Sequence, residues 1–143
     1  MEPLDLTIAP PRKPRAELAG IIFLPRSIDK VRASLPGGDL GDYTIVGLTT
    51  TMLDSLELSL AKFTEAVRTA RSDGDVAAFV TANAKPGGVD VWHRFAHARQ
   101  PRGGNVADAI ESYPFLAGRS DLGLSLDVIE EDDRFSFARG SKA

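Results

Sequence analysis

Charged residues recur at helical spacing between positions 26 and 32 and could form a site for an anion. Arg26 and Lys30 are four residues apart, and Asp29 follows Arg26 by three residues. Residues at these spacings are neighbours on a helix, so the two bases can act on one ligand while Asp29 orients them. Guanidinium and ammonium groups bind carboxylates and phosphates in many proteins. The candidate binding residues are these three together with Arg32, Asp42 and Tyr43, of which the last two lie in the loop that follows.

The same charges have a structural interpretation, and the sequence leaves both open. The N-terminal arm Leu4 to Arg15 has little apolar material of its own to anchor it. Arg26 and Asp29 could contact one another and provide polar ties that hold the arm down. In that case these two residues matter more to each other than to a distant ligand.

A second cluster, Asp90, His93 and His97, has the spacing of metal ligands on one helix face. The residue after His93 is Arg94, where a metalloprotease helix carries the Glu that acts as general base. The chain also contains no cysteine. We therefore expect no bound metal. We also expect no cofactor, because no glycine cluster is followed by the Lys and Ser or Thr of a phosphate-binding loop. The sequence assigns no catalytic residue.

The elements that must position these residues are short helices. Leu24, Ile28, Val31 and Leu35 follow one another at steps of four, three and four, which is the period of one helix face. Similar stripes between proline and glycine turns predict a mostly α fold. We expect a single compact domain of about five to seven short helices, with at most a minor strand or hairpin around residues 43–48. The core is expected to join this stripe to Leu53, Leu60, Phe63 and Phe79.

Proline, glycine and capping residues predict where the other elements begin and end. Pro14 suits the first position of a short helix that reaches about residue 20. A break near residues 57–59 would divide the apolar run from Leu53 to Val67 into two helices. Asn105 is expected to cap a further helix. Residues 122–129 fit either a strand or a helix. The domain organisation predicted is an extended Pro-rich arm over residues 1–13 packed on the body, a helical domain over 14–131 and a loosely held tail over 132–143.

Net charge and composition limit the class of partner. The formal net charge is −3, which is too small to indicate a nucleic-acid partner. No apolar run approaches the length of a membrane helix, so we expect no membrane partner. Absence of cysteine fits a cytoplasmic protein. The local charge is +4 over residues 12–32 and −6 over residues 121–133. Two segments of opposite charge could bind a protein partner or pair with each other in a homodimer.

Several short motifs along the chain resemble those of one protein family. They are Asp5-Leu6-Thr7, Pro10-Pro11-Arg12, the run from Leu24 to Ala33, Gly41-Asp42-Tyr43 and the stretch Ser72 to Val76. In these motifs the chain resembles an uncharacterised bacterial family, domain of unknown function 5069, over nearly its whole length. The resemblance implies a small, mostly helical bacterial domain and leaves its function open.

Two function classes remain. The first is a small cytoplasmic interaction or binding module with a charged site on a helix surface. The alternative is a small enzyme, or a protein that binds an anionic or carboxylate ligand, with Arg26, Lys30, Asp42 and Tyr43 in a cleft. Whether these four side chains converge discriminates between the two classes.

Overall fold

Helices dominate the structure, a computed structural model that describes residues 1–99, 113, 115 and 124–137. They account for 57% of the described residues, against about one third in an average globular protein. The predicted mostly α class is thus confirmed. The six helices within the described residues are α1 (Leu24–Ser34), α2 (Leu48–Leu56), α3 (Leu60–Thr69), α4 (Asp73–Asn83), α5 (Gly88–Ala98) and α6 (Ser125–Phe137). The chain forms two compact units, residues 1–93 and residues 94–143.

A small antiparallel hairpin precedes α1. Its strands are β1 (Glu17–Leu18) and β2 (Ile21–Ile22), in register with Glu17 opposite Ile22. Ala19 and Gly20 connect them, and both have positive φ, 54° and 73°, as a two-residue type I′ turn requires. The helix predicted from Pro14 is therefore wrong, because this turn reverses the chain instead. The one small hairpin within the described residues lies here and not around residues 43–48, where residues 43–47 form a loop that leads into α2.

The core of the first unit is built on α1. Leu24, Ile28 and Val31 are fully buried, as their helical spacing predicts, and α1 packs against α3 and β1. The predicted partners Leu53 and Phe63 are buried as well. Leu60 was expected in this core, but it is 37% exposed because it is the first residue of α3 and lies at the open end of that helix.

The break between α2 and α3 falls at the predicted position. Glu57 ends α2 in the left-handed conformation, with φ 54°, a common way to terminate a helix. The Ser59 side chain then accepts a hydrogen bond from the Lys62 backbone N–H, at 3.1 Å, and so caps the start of α3.

Strand β2 is held by two consecutive residues of α5. The indole Nε1–H of Trp92 donates to the carbonyl oxygen of Ile22 at 2.9 Å. The backbone N–H of Ile22 donates to Nε2 of His93 at 3.2 Å. Both backbone groups of Ile22 are therefore used by α5, and we call this arrangement the Ile22 clamp. It fixes the chain immediately before α1.

In the second unit, α6 has a hydrogen bond at its start and a ring contact near its end. The Ser125 N–H donates to the Arg99 carbonyl at 2.9 Å, and the Phe135 ring stacks on Phe115 with centroids 5.0 Å apart. Residues 125–129 are thus helical, which decides between strand and helix for that part of 122–129. Helix α6 includes residues 132–137 of the expected tail, while the helix expected from Asn105 lies outside the described residues.

No helix within the described part of the chain combines the length and the apolar character needed to cross a membrane.

Candidate functional site

The polar face of α1 is covered, although the sequence predicts that it lies at the surface. Arg26 is 2% exposed and Asp29 is 5% exposed, while Lys30 is half-buried. The apolar stripe of the same helix is also buried, so α1 is enclosed on both sides. Charged groups are rarely buried without partners, because their desolvation is unfavourable.

The N-terminal arm covers part of the polar face of α1, and Arg12 makes the contacts. The backbone N–H of Arg12 donates to Asp29 Oδ2 at 2.8 Å, and its side chain donates from Nη2 to Asp29 Oδ1 at 2.9 Å. The same guanidinium reaches α4, where Nη1 donates to Asp73 Oδ2 at 2.6 Å. Arg26 Nη1 in turn donates to the carbonyl oxygen of Arg12 at 3.2 Å. Arg12 thus bridges two helices, and we call these contacts the Arg12 bridge.

The hydrogen bonds between Arg12 and Asp73 shift the pKa of both residues. Hydrogen bonding from the Arg12 side chain holds the pKa of Asp73 below its usual value, with a smaller contribution from the positive charges of Arg12 and Arg32. The hydrogen bond to Asp73 raises the pKa of Arg12. Arg12 and Asp73 are therefore both ionised at neutral pH.

Aromatic rings enclose the two cations of α1. The guanidinium carbon of Arg26 lies 5.8 Å from the ring centroid of Phe23 and 5.5 Å from that of Tyr43. The Lys30 ammonium lies 5.6 Å and 6.0 Å from the same two centroids. These distances are within the range of cation–π attraction. Arg26, Lys30, Phe23 and Tyr43 together are called the cation cluster below.

Phe23 holds its place in the cation cluster by an unusual backbone conformation. It is the residue before α1, with φ 72° and ψ −14°, a left-handed conformation that is rare for a bulky residue. The ring also meets Trp92 edge to face, with centroids 5.9 Å apart. Strain of this kind persists only when the surrounding contacts determine the conformation.

Comparison with known proteins gives the family. A family model, domain of unknown function (DUF5069), matches residues 8–135. The chain belongs to the DUF5069 family. This confirms the resemblance carried by the motifs in the arm and in α1. No curated protein sequence matches the chain. Both the Arg12 bridge and the cation cluster of this DUF5069 chain lie within the matched residues.

The structure separates the six predicted site residues into groups. Arg26, Lys30 and Tyr43 meet in the cation cluster. Asp29 belongs to the Arg12 bridge. Arg32 also holds the arm, because its Nε–H donates to the Glu2 carbonyl at 2.7 Å. Asp42 is exposed on the loop beside Tyr43.

Sequence reasoning did not select Arg12, Asp73 or Phe23. Arg12 belongs to the basic segment 12–32, but nothing in the sequence pairs it with Asp73, which is 61 residues away. Phe23 is one of seven phenylalanines, and nothing in the sequence marks its left-handed conformation, which is rare for a bulky residue.

Asp90, His93 and His97, which have the spacing of metal ligands on one helix face, have different surroundings in the structure. His93 accepts the Ile22 N–H in the clamp, whereas Asp90 and His97 are exposed. Within the residues that the structure describes, no group of three potential ligands could hold a metal ion.

Proposed function

We propose that this DUF5069 chain is a small binding module that takes an anionic group, a carboxylate or a phosphate, at the cation cluster of α1. Lys30 and Arg26 would bind the anion, and Tyr43 and Phe23 would flank it. The observation that carries this proposal is the position of both cations, one helical turn apart, within 6.0 Å of the same two rings.

The charge balance of α1 supports an anionic ligand. The helix carries three bases, Arg26, Lys30 and Arg32, and one acid, Asp29. That acid is engaged by Arg12 from the arm, at 2.9 Å. Like charges four residues apart on a helix repel one another, and burial strengthens the effect because the local dielectric constant is low. Within α1 the bases outnumber the acid by two, which favours an anionic ligand over a cationic one.

The burial of Arg26 favours a specific site over a general attraction. An exposed cation attracts anions only weakly and is screened by salt. A guanidinium held by the Arg12 carbonyl and by two rings has a fixed orientation, which lowers the entropy lost when a ligand binds. We place this binding in the cytoplasm, which the absence of cysteine supports.

Calorimetric titration with sodium phosphate and, separately, with sodium succinate tests the proposal, with sodium chloride keeping the ionic strength constant. We expect saturable binding of at least one of them at one site per chain. Lys30→Gln should weaken the affinity by about tenfold to a hundredfold, as loss of a charge-assisted hydrogen bond does. The two titrations also distinguish a carboxylate from a phosphate ligand.

Lys62→Gln is the matched control. Lys62 is exposed on α3, so this variant changes the net charge by the same amount and leaves the cation cluster intact. Its affinity should equal that of the wild type. Equal affinities for Lys30→Gln and Lys62→Gln, or no saturable binding of either anion, would contradict the proposal.

A further inference from the structure

An anion that binds the cation cluster must reach Arg26, which is 2% exposed. We infer that the loop Gly41–Gly47 is a lid, with Tyr43 as the side chain that closes it over Arg26 and Lys30. This inference rests on the proposed function and names the movement by which the same site admits its ligand. We call the loop Gly41–Gly47 the Tyr43 lid.

Tyr43 is the residue of the lid whose ring contacts the cations. Its ring centroid lies 5.5 Å from the Arg26 guanidinium carbon and 6.0 Å from the Lys30 ammonium. Tyr43 is half-buried, while its neighbours Asp42 and Thr44 are exposed. The ring thus lies against both cations and is itself partly exposed, and we expect its removal to make Arg26 more accessible.

Both ends of the lid are glycines with positive φ. Gly41 has φ 58°, and Gly47 has φ 117° with ψ −127°, a combination that only glycine adopts readily. A Cβ at Gly47 would meet no atom within 4 Å, whereas one at Gly41 would lie 3.2 Å from the Leu6 carbonyl oxygen. The Gly47 end therefore has room to rotate, and the Gly41 end is fixed near the arm. Residues of this kind serve as hinges in loops that close over ligands.

Local contacts hold the segment between the two glycines. The Tyr43 N–H donates to the Leu40 carbonyl at 3.0 Å, the Thr44 hydroxyl donates to the Val46 carbonyl at 3.3 Å, and the Gly47 N–H donates to the Thr50 hydroxyl at 3.2 Å. Val46 is 74% exposed. Short-range hydrogen bonds and an exposed apolar side chain favour local opening of residues 44–47.

The chemistry of the cations also permits opening. In the closed state the electron-rich faces of Tyr43 and Phe23 stabilise the two positive charges. When the lid opens, water replaces the Tyr43 ring at Arg26 and Lys30, so each cation remains solvated or paired throughout. A carboxylate or phosphate that enters then provides a full negative charge, and closure of Tyr43 over it excludes water and strengthens the ion pairs.

Chemical modification of arginine tests the lid. Phenylglyoxal modifies accessible guanidinium groups, and peptide mass spectrometry follows Arg26 and the exposed Arg71 in the same sample. In the wild type we expect Arg26 to react at least tenfold more slowly than Arg71. Tyr43→Ala should accelerate the reaction of Arg26 at least fivefold and leave Arg71 unchanged. Tyr43→Phe keeps the ring and should react like the wild type.

Hydrogen exchange provides a second measurement. Amides of residues 42–46 should exchange at least tenfold faster than those of residues 28–33 in α1. The α1 amides should exchange at the same rate in Tyr43→Ala and in the wild type, which shows that the variant opens the lid without unfolding the helix. The inference of a lid is wrong if Arg26 is modified at the same rate in Tyr43→Ala and in the wild type, or as fast as Arg71 in the wild type.

A third measurement distinguishes failure of the lid from failure of the proposed function. Saturating sodium phosphate or sodium succinate should slow the reaction of Arg26 in Tyr43→Ala at least threefold. If Tyr43→Ala exposes Arg26 but neither anion protects it, the proposed function is wrong and Tyr43 remains the cover of a buried arginine.

Discussion

Phe23 shows how a single residue can be placed by its neighbours against its own preference. The Ile22 clamp fixes the residue before it, and α1 begins directly after it. Between these two constraints the backbone of Phe23 takes a positive φ of 72°. The gain is the position of the ring, which meets Trp92 and lies within 6.0 Å of both cations of α1.

Replacement of Phe23 by alanine and by glycine separates the ring from the backbone. Both variants lose the buried ring, which should lower the free energy of unfolding by about 3–5 kcal/mol. Phe23→Gly should be more stable than Phe23→Ala by about 1 kcal/mol, because glycine adopts positive φ without strain. Urea unfolding of the two variants measures the difference. A Phe23→Ala variant as stable as Phe23→Gly would mean that the left-handed conformation relaxes when the ring is removed.

Asp73 makes the stability of the protein depend on pH. Its pKa is lowered in the folded state by hydrogen bonding from Arg12. A group with a lowered folded pKa stabilises the fold above its unfolded pKa, and the contribution is lost as the pH falls through the folded pKa. At pH 7 the free energy of unfolding of the wild type should be about 1 kcal/mol higher than that of Asp73→Asn. The difference between the two proteins should shrink as the pH falls below about 4, the usual pKa of an aspartate, toward the lower folded pKa of Asp73.

Denaturant unfolding of both proteins from pH 7 to pH 2.5 measures this effect, with Asp54→Asn as the control. Asp54 is an exposed residue of α2, so its variant should follow the wild type across the range. A difference between wild type and Asp73→Asn that stays constant down to the lowest pH would argue against an ionised Arg12–Asp73 pair.

At the scale of the elements, the start of α5 depends on a glycine that lies against α2. A Cβ at Gly88 would lie 2.5 Å from the Ser55 carbonyl oxygen and 3.1 Å from the Leu56 Cα. The Lys85 N–H also donates to the Leu56 carbonyl at 2.9 Å. The end of α2 and the beginning of α5 thus approach each other through their backbones.

Gly88→Ala and Gly74→Ala should therefore have opposite effects. Both glycines lie in the first turn of a helix, so the gain in helix propensity is similar. At Gly74 the nearest atom to an added Cβ is 3.5 Å away, and Gly74→Ala should stabilise the protein by about 0.5–1 kcal/mol. Gly88→Ala should destabilise it by about 1–3 kcal/mol, as overpacking does. Thermal unfolding of the two variants provides the comparison, and a stabilised Gly88→Ala would show that the two helices can separate at no cost.

The predictability of the elements follows from their length. Helix α1 has a stripe of three steps, and its position, its buried residues and its end before Pro36 agree with the pattern. Each strand of the hairpin has two residues, which is too short to show a period, and its turn uses Ala19 rather than the Asn or Asp that usually marks such a turn. Arg26, Lys30 and Tyr43 were found because they lie near each other in sequence. Arg12 and Asp73 join the site only through the fold.

At the scale of the first unit, polar contacts hold the N-terminal arm. Arg12 binds Asp29 and Asp73, Arg32 binds the Glu2 carbonyl, and the amino group of Met1 donates to three carbonyls at the end of α3. Leu6 and Pro11 are among the buried residues of the arm. The proposed division of the chain into arm, domain and tail depends on how firmly these contacts hold residues 1–13.

A pair of variants tests whether Arg26 and Asp29 hold the arm together. Both bind the same residue, Arg12, so either Arg26→Ala or Asp29→Ala should accelerate hydrogen exchange along residues 4–15. The double variant should exchange little faster than either single variant, with a coupling free energy of about 0.5–3 kcal/mol. Lys62→Ala, at an exposed site on α3, is the control. Unchanged exchange in both single variants would leave ligand binding as the better explanation for the charge pair.

The Ile22 clamp has a further consequence for the time course of folding. It joins residues that are 70 and 71 positions apart, whereas the turns of α1 to α4 form between near neighbours. Closure of so long a loop loses entropy before any contact compensates for it, so the clamp is expected to form after the folding transition state. Contacts absent from the transition state act mainly on the rate of unfolding. Trp92 and His93 would then determine how long the native molecule persists, while the helices determine how fast it forms.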